Sequence, residues 1–137
     1  MSQLVLNSYK CLLCGDTLVS KHRHDYLRCT CGNLSIDGGN SYQRISYKDL
    51  TAIEDRSVYW NWNNFKEVRE VFTWRTYGKN SEYKEPKYIK LKDMQQDHIE
   101  AILSTQWHIA GTYVEKLFKL ELEYRKEIDN EPNRCII

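Results

Sequence analysis

The sequence predicts an α+β protein, and three observations carry that prediction. Two close cysteine pairs, each followed by glycine, stand in the first quarter of the chain as Cys11-Leu-Leu-Cys14-Gly and Cys29-Thr-Cys31-Gly. Farther on, apolar and polar residues alternate on both sides of a polar loop, the pattern of a β-hairpin. From Met94 onward apolar residues recur at three- and four-residue spacing, the repeat of amphipathic helices. The expected order is a cysteine-bearing ribbon, an antiparallel hairpin and two C-terminal helices. A length of 137 residues suits one domain or two small modules. The reading divides it into residues 1–47 and 48–137, packed as one unit.

The cysteines point to a metal. Cys11, Cys14, Cys29 and Cys31 offer four soft donors, which is what Zn²⁺ takes in a tetrahedral site. Glycine after each pair permits a positive φ and a turn that brings amide N–H groups to the thiolates. A closed set of four thiolates leaves no position for water, so one structural zinc per chain is expected. Disulfides need an oxidising compartment. A redox pair needs a helix N-terminus after Cys14, where Gly15-Asp16 suggests a turn. An iron–sulfur cluster also accepts four thiolates and stays open. Cys135 has no neighbouring partner and reads as a free thiol.

Short strands connect the knuckles. Leu18 and Tyr26-Leu27-Arg28 flank a polar turn, and Asn33-Leu-Ser-Ile-Asp37 runs into the turn Asp37-Gly-Gly-Asn40. Strands entering and leaving metal knuckles describe a zinc ribbon, whose small sheet depends on its metal for folding energy. His22, His24 and Asp25 invite a catalytic reading, but further His and Asp ligands are not arranged around them. His24 and Asp25 read as hydrogen-bonding the turn, and the alternative is His24 as a substitute ligand should one thiolate be lacking.

Lys10-Cys-Leu-Leu-Cys-Gly-Asp16, Ser20, Arg23-His-Asp25, Cys29-Thr-Cys-Gly32, Asp37-Gly-Gly39, Tyr42 and Arg44 together resemble a small zinc-ribbon-like family found largely in bacteriophages. The resemblance covers residues 8–47. It implies a metal-binding module and a viral source, and it brings no reaction with it.

In residues 40–66 a short helix is expected, with Ser46 as its cap and Asp49 three residues later. The cluster Tyr59-Trp-Asn-Trp-Asn-Asn-Phe65 follows no period, and suits either a packed corner or a contact surface. Glu67–Tyr77 reads as a strand with Val68, Phe72 and Trp74 on one side. Tyr88–Lys92 is its partner, with Ile89 and Leu91 inward and Arg69, Arg75, Lys90 and Lys92 outward. Met94, His98, Ile99, Ile102 and Leu103 mark the first late helix. Val114, Leu117, Phe118, Leu120, Tyr124 and Ile128 mark the second, capped by Thr112 and ended by Asn130, Pro132 and Asn133. His98 and His108 read as core-edge or solvated residues.

Composition narrows the function. Lys plus Arg is 20 against 19 for Asp plus Glu, so no global charge draws the chain to DNA or an anionic membrane. No apolar run approaches the roughly 20 residues of a bilayer span, and no signal peptide is evident, so a soluble cytoplasmic protein is expected. No nucleophile elbow, phosphate-binding glycine loop, His-Glu-x-x-His or paired carboxylates indicate an enzyme. The leading expectation is a non-enzymatic phage accessory protein that binds and modulates a host protein, as an anti-defence factor does, through Trp60, Trp62, Arg69 and Arg75. The alternative is a nucleic-acid or nucleotide binder using the ribbon and the aromatic-basic hairpin.

Overall fold

A computed structural model describes residues 3–78 and 81–129. Asn130, Pro132, Asn133 and Cys135 lie outside the described residues. The chain divides into two compact units, Met1–Asn64 and Phe65–Ile137.

The first unit is built on a strand that the sequence pattern conceals. β1 (Gln3–Cys11) is the centre of a four-stranded sheet, with β2 (Thr17–Ser20) along one edge. β6 (Ile53–Asp55) and β7 (Val58–Trp60) share the other edge. Alternation along β1 is masked because a buried position is polar. Asn7 is fully buried, its side-chain amide donates to the carbonyls of Asp37 at 3.1 Å and Gly39 at 3.0 Å, and its oxygen accepts from Gln43. That bonding satisfies the amide inside the protein.

β3 (Leu27–Arg28), β4 (Leu34–Asp37) and β5 (Arg44–Tyr47) form a second, three-stranded sheet. β3 and β4 fall where the cysteine-flanking pattern predicted, and the turn at Gly38-Gly39 follows β4. The segment after it differs from expectation. Ser46 caps no helix: it lies in β5 opposite Ser35, and their hydroxyls hydrogen-bond. Asp49 is the cap instead, accepting from the Thr51 amide at 2.9 Å at the start of a single 3-10 turn, Leu50–Ala52. β6 and β7 then return to β1, which is why the break between units falls after Asn64 and not after residue 47. The core of this unit is Leu18, Leu34 and Ile36 against Cys11 and Cys29, flanked by Tyr9, Leu27, Ile45 and Ile53.

In the second unit α1 (Phe65–Val71) replaces the first half of the expected strand. The pattern misled because four is a multiple of two. Val68 and Phe72 are both buried, and the Phe72 amide donates to the Val68 carbonyl at 2.8 Å, which is the helical repeat. The hairpin survives in shorter form, β8 (Thr73–Thr76) against β9 (Lys87–Lys90), with Trp74 opposite Ile89. A 3-10 turn, Leu91–Asp93, leads to α2 (Gln96–Thr105), and α3 (Tyr113–Asp129) follows Gly111. Phe118 packs edge-on against Phe72 at 6.0 Å and Trp74 at 5.4 Å, joining α3 to α1 and the hairpin.

Candidate metal centre

Cys11 ends β1 and Cys14 sits in the turn after it; Cys29 follows β3, with Cys31 two residues on. The four sulfurs lie within 4.8 Å of one another, and Cys31 Sγ is 3.6 Å from both Cys11 Sγ and Cys29 Sγ. A disulfide would hold its sulfurs ~2.05 Å apart, so these are separate thiols. Four sulfurs each ~2.3 Å from a common ion form a tetrahedron with edges of ~3.8 Å, and the observed spacing fits that size. No helix begins after Cys14, so the thioredoxin-type arrangement is not formed.

The backbone prepares the site for anionic sulfur. Gly15 and Gly32 take φ of 81° and 79°, as the two glycine-ended knuckles require. Their own N–H groups return to the carbonyls of Cys11 and Cys29, while the amides that meet sulfur come from neighbouring residues. The Cys14 amide, with that of Leu13, outweighs burial and holds the Cys11 thiol down to about 6. Cys29 is desolvated, but the Leu34 amide at 3.3 Å and the Cys31 and Cys14 thiols bring it below the usual thiol value. Cys31 accepts from the Asn33 amide, yet burial and the three surrounding thiols push it up to about 12. Without a cation the cluster thus ionises only in part; a divalent ion allows all four sulfurs to be thiolates.

Two residues tie the knuckles together. Asp16 accepts from the Thr30 amide at 2.7 Å and the Thr30 hydroxyl at 2.6 Å, linking the first knuckle to the second. Asn33 is buried; its amide nitrogen approaches Cys11 Sγ at 3.9 Å, and its oxygen accepts from the Lys48 and Asp49 amides. Among the described residues His24 is not in the donor cluster and is exposed. Asp25 holds the turn, accepting from the Lys21 amide at 2.9 Å, while its carbonyl accepts from Ser20.

Residues 3–47 match a domain of unknown function, DUF7695. The match begins with β1, ends with β5 and takes in all four cysteines. It stops short of β6 and β7, which complete the β1 sheet. No curated protein and no solved structure matches the chain. No helix among the described residues is long and apolar enough to cross a membrane.

The residues expected to contact a partner are separated by the structure. Trp60 is 1% exposed and belongs to the interior. Arg69 is engaged by Glu121 in a bidentate pair, with both bonds 2.8 Å long, and Lys92 is paired with Glu70, so two of the four basic residues expected on that face are held by carboxylates. Trp62, at 55% exposure, and Arg75 remain on the surface. Sequence reasoning passed over Trp107, which is 85% exposed, because it directly follows an amphipathic run and reads as its continuation.

Proposed function

We propose that this chain is a non-enzymatic accessory protein, stapled by one structural zinc, that acts by binding and modulating a host protein. Four thiolates close the coordination shell and leave no position for substrate, which supports a structural over a catalytic metal. Zinc is favoured because the four sulfurs lie within 4.8 Å of one another, a spacing sized for a single ion, whereas a multi-iron cluster needs more room between its ligands. The phage and anti-defence setting rests on the resemblance of residues 8–47.

Trp62 carries the binding reading. It has a φ of 74°, a left-handed conformation that a bulky side chain adopts only when its surroundings impose it. Three asparagines impose it here. The Asn61 amide donates to Asn64 Oδ1, the Asn63 amide to Asn61 Oδ1, and Asn64 Nδ2 to the Tyr59 carbonyl at 2.7 Å. The indole rests against buried Trp60 with ring centres 5.4 Å apart. A large aromatic held exposed and preorganised is the form an interface anchor takes.

Trp62→Ala should abolish capture of the host protein from lysate, with zinc content and circular dichroism unchanged. Unfolding of that variant, or capture of the same protein at wild-type levels, refutes the assignment. Loss of capture on Trp107→Ala alone would move the anchor to the second unit.

A further inference from the structure

The first unit carries a second surface feature that neither the metal nor Trp62 explains. An open groove of about 330 Å³ runs over the β3–β4–β5 sheet beside the second knuckle. Tyr26, Arg28, Ser35, Ser46, Tyr47 and Lys48 line it. Strand register shows how it is assembled. Arg28, Ser35 and Ser46 occupy one cross-strand row, while Leu27, Ile36 and Ile45 occupy the adjacent row and belong to the core. Alternation therefore turns the Arg28 row away from the core.

The lining is unusual for a solvated sheet face. Tyr26 is 61% exposed and Tyr47 45% exposed, so two phenol rings stand at the groove without being needed for packing. Arg28 and Lys48 supply positive charge on either side of the serine pair, which forms a hydroxyl floor. The Arg28 guanidinium lies against Gly32: a Cβ there would be 2.8 Å from Nη2, so the knuckle glycine leaves the space it occupies. The balanced charge of the whole chain conceals a local excess, since residues 21–48 contain five Lys and Arg against two Asp.

We propose that this groove binds single-stranded nucleic acid, taking a base on the tyrosine rings and the adjoining phosphate on Arg28 and Lys48. The chemistry is that of a phosphate-bearing base. Stacking on aromatic rings tolerates any base, and guanidinium and ammonium groups pair with the phosphate backbone. The volume stands at the lower end of the roughly 300–1,000 Å³ of small-ligand sites and suits one nucleotide unit. The groove is open rather than enclosed, which suits a unit of a continuing strand better than a free nucleotide.

The test uses the full-length zinc-loaded protein and fluorescein-labelled ten-nucleotide oligo-dT and oligo-U, read by fluorescence anisotropy over a range of salt concentrations. Binding is expected, with affinity falling as salt rises. Tyr26→Ala should weaken it by at least ~5-fold, in line with the loss of one stacked base. Lys48→Ala should lower the salt slope by about 0.7, the contribution of one single-strand phosphate. Arg28→Lys retains charge and protects the knuckle from a vacant site; it should bind more weakly than wild type with unchanged zinc content. AMP and UMP compete with the oligonucleotide if a free nucleotide suffices, whereas a strand-reading groove is not displaced by them at millimolar concentration. Absence of oligonucleotide binding at 100 μM protein overturns the proposal, as does binding unaltered by Tyr26→Ala and Lys48→Ala. Displacement by mononucleotide replaces the strand with a nucleotide as ligand. Trp62→Ala should leave oligonucleotide affinity intact, which separates this groove from the proposed protein contact.

Discussion

Replacing Glu121 by Gln removes one charge from the interior of the second unit while preserving the shape of the side chain. Glu121 is fully buried and is held by two arginines. Arg69 grips it through Nε and Nη2, each at 2.8 Å, and Arg125 Nε reaches Oε2 at 2.7 Å. Arg125 also donates to the Leu91 carbonyl at 3.1 Å, and the Arg69 guanidinium lies 4.6 Å from the centre of the Tyr124 ring. Both arginines are largely buried, so the substitution leaves two desolvated cations without a counter-charge. Breaking a buried pair from one side costs ~3–5 kcal/mol; glutamine keeps one acceptor, so we expect about 3 kcal/mol. For a unit of this size, ~4–8 °C accompanies each kcal/mol, and the midpoint should fall by more than about 10 °C. All α-helices among the described residues lie in the second unit, so circular dichroism at 222 nm during thermal or urea unfolding reads this transition. The two units need separate analysis, since one two-state fit does not describe both. Triple replacement of Arg69 and Arg125 by Met and Glu121 by Leu should recover most of the loss, because an apolar set has no desolvated charge to satisfy. A loss below about 1 kcal/mol for Glu121→Gln would show that water reaches the cluster and would refute the reasoning.

Metal content should be one zinc per chain by elemental analysis; Cys29→Ser should lower it, and chelation should unfold the first unit while the 222 nm signal of the second persists. Asn33→Ala removes the acceptor of the Lys48 and Asp49 amides, so it should cost about 1–3 kcal/mol and weaken zinc binding by roughly 10–100-fold, measured by competition with a chromogenic chelator. The Thr30 hydroxyl and amide hold the Asp16 carboxyl below its ordinary value of 3.8. A depressed carboxylate contributes stability above its unfolded pKa and loses it as pH falls through the folded one, so Asp16 should titrate below 3.8 by carbon-detected NMR and closer to 3.8 in Thr30→Ala, which removes the hydroxyl and keeps the amide.

The four-cysteine cluster was legible because its chemistry is local in sequence. Each knuckle is a cysteine pair plus a glycine, and the residue types alone specify the donor number and the turn. The strands between the knuckles followed for the same reason, being bounded by those turns. What escaped was set by tertiary contact. β1 is recognisable only once Asn7 is seen to satisfy carbonyls thirty and thirty-two residues away, since an asparagine in that position otherwise reads as a surface residue. α1 escaped because Val68 and Phe72 fit a two-residue and a four-residue repeat equally well, and no capping signal decided between them. The partner surface was assigned by residue type without knowledge of burial: Trp60 and Trp62 are two residues apart, yet one is core and the other exposed. Arg69 was misplaced on the same ground, because its anion lies fifty-two residues away on α3.

Comparison of the two cores shows why a metal cross-link, as proposed, would matter in only one of them. The buried positions of the second unit are apolar, including Val68, Phe72, Leu91, Ile99, Ile102, Leu117 and Phe118, with Glu121 as the single charged exception among the described residues. Burial of such side chains stabilises by ~1.5–3 kcal/mol each, enough to hold three helices and a hairpin without a cross-link. In the first unit Asn7, Ser8, Ser20 and Asn33 occupy interior positions that apolar side chains would otherwise fill. Satisfied hydrogen bonds there yield a net ~0.5–1.5 kcal/mol each, less than the apolar burial they displace. What they supply is specificity: Asn7 fixes the turn after β4, and Asn33 fixes the segment after β5 against the cysteines. A core that secures geometry at the expense of hydrophobic stabilisation gains from a cross-link, and the proposed metal would supply one at the four cysteines, which lie at the ends of β1 and β3. The proposed metal would also hold the strands whose outward row forms the groove at Arg28, which ties its structural role to the binding surface proposed beside it.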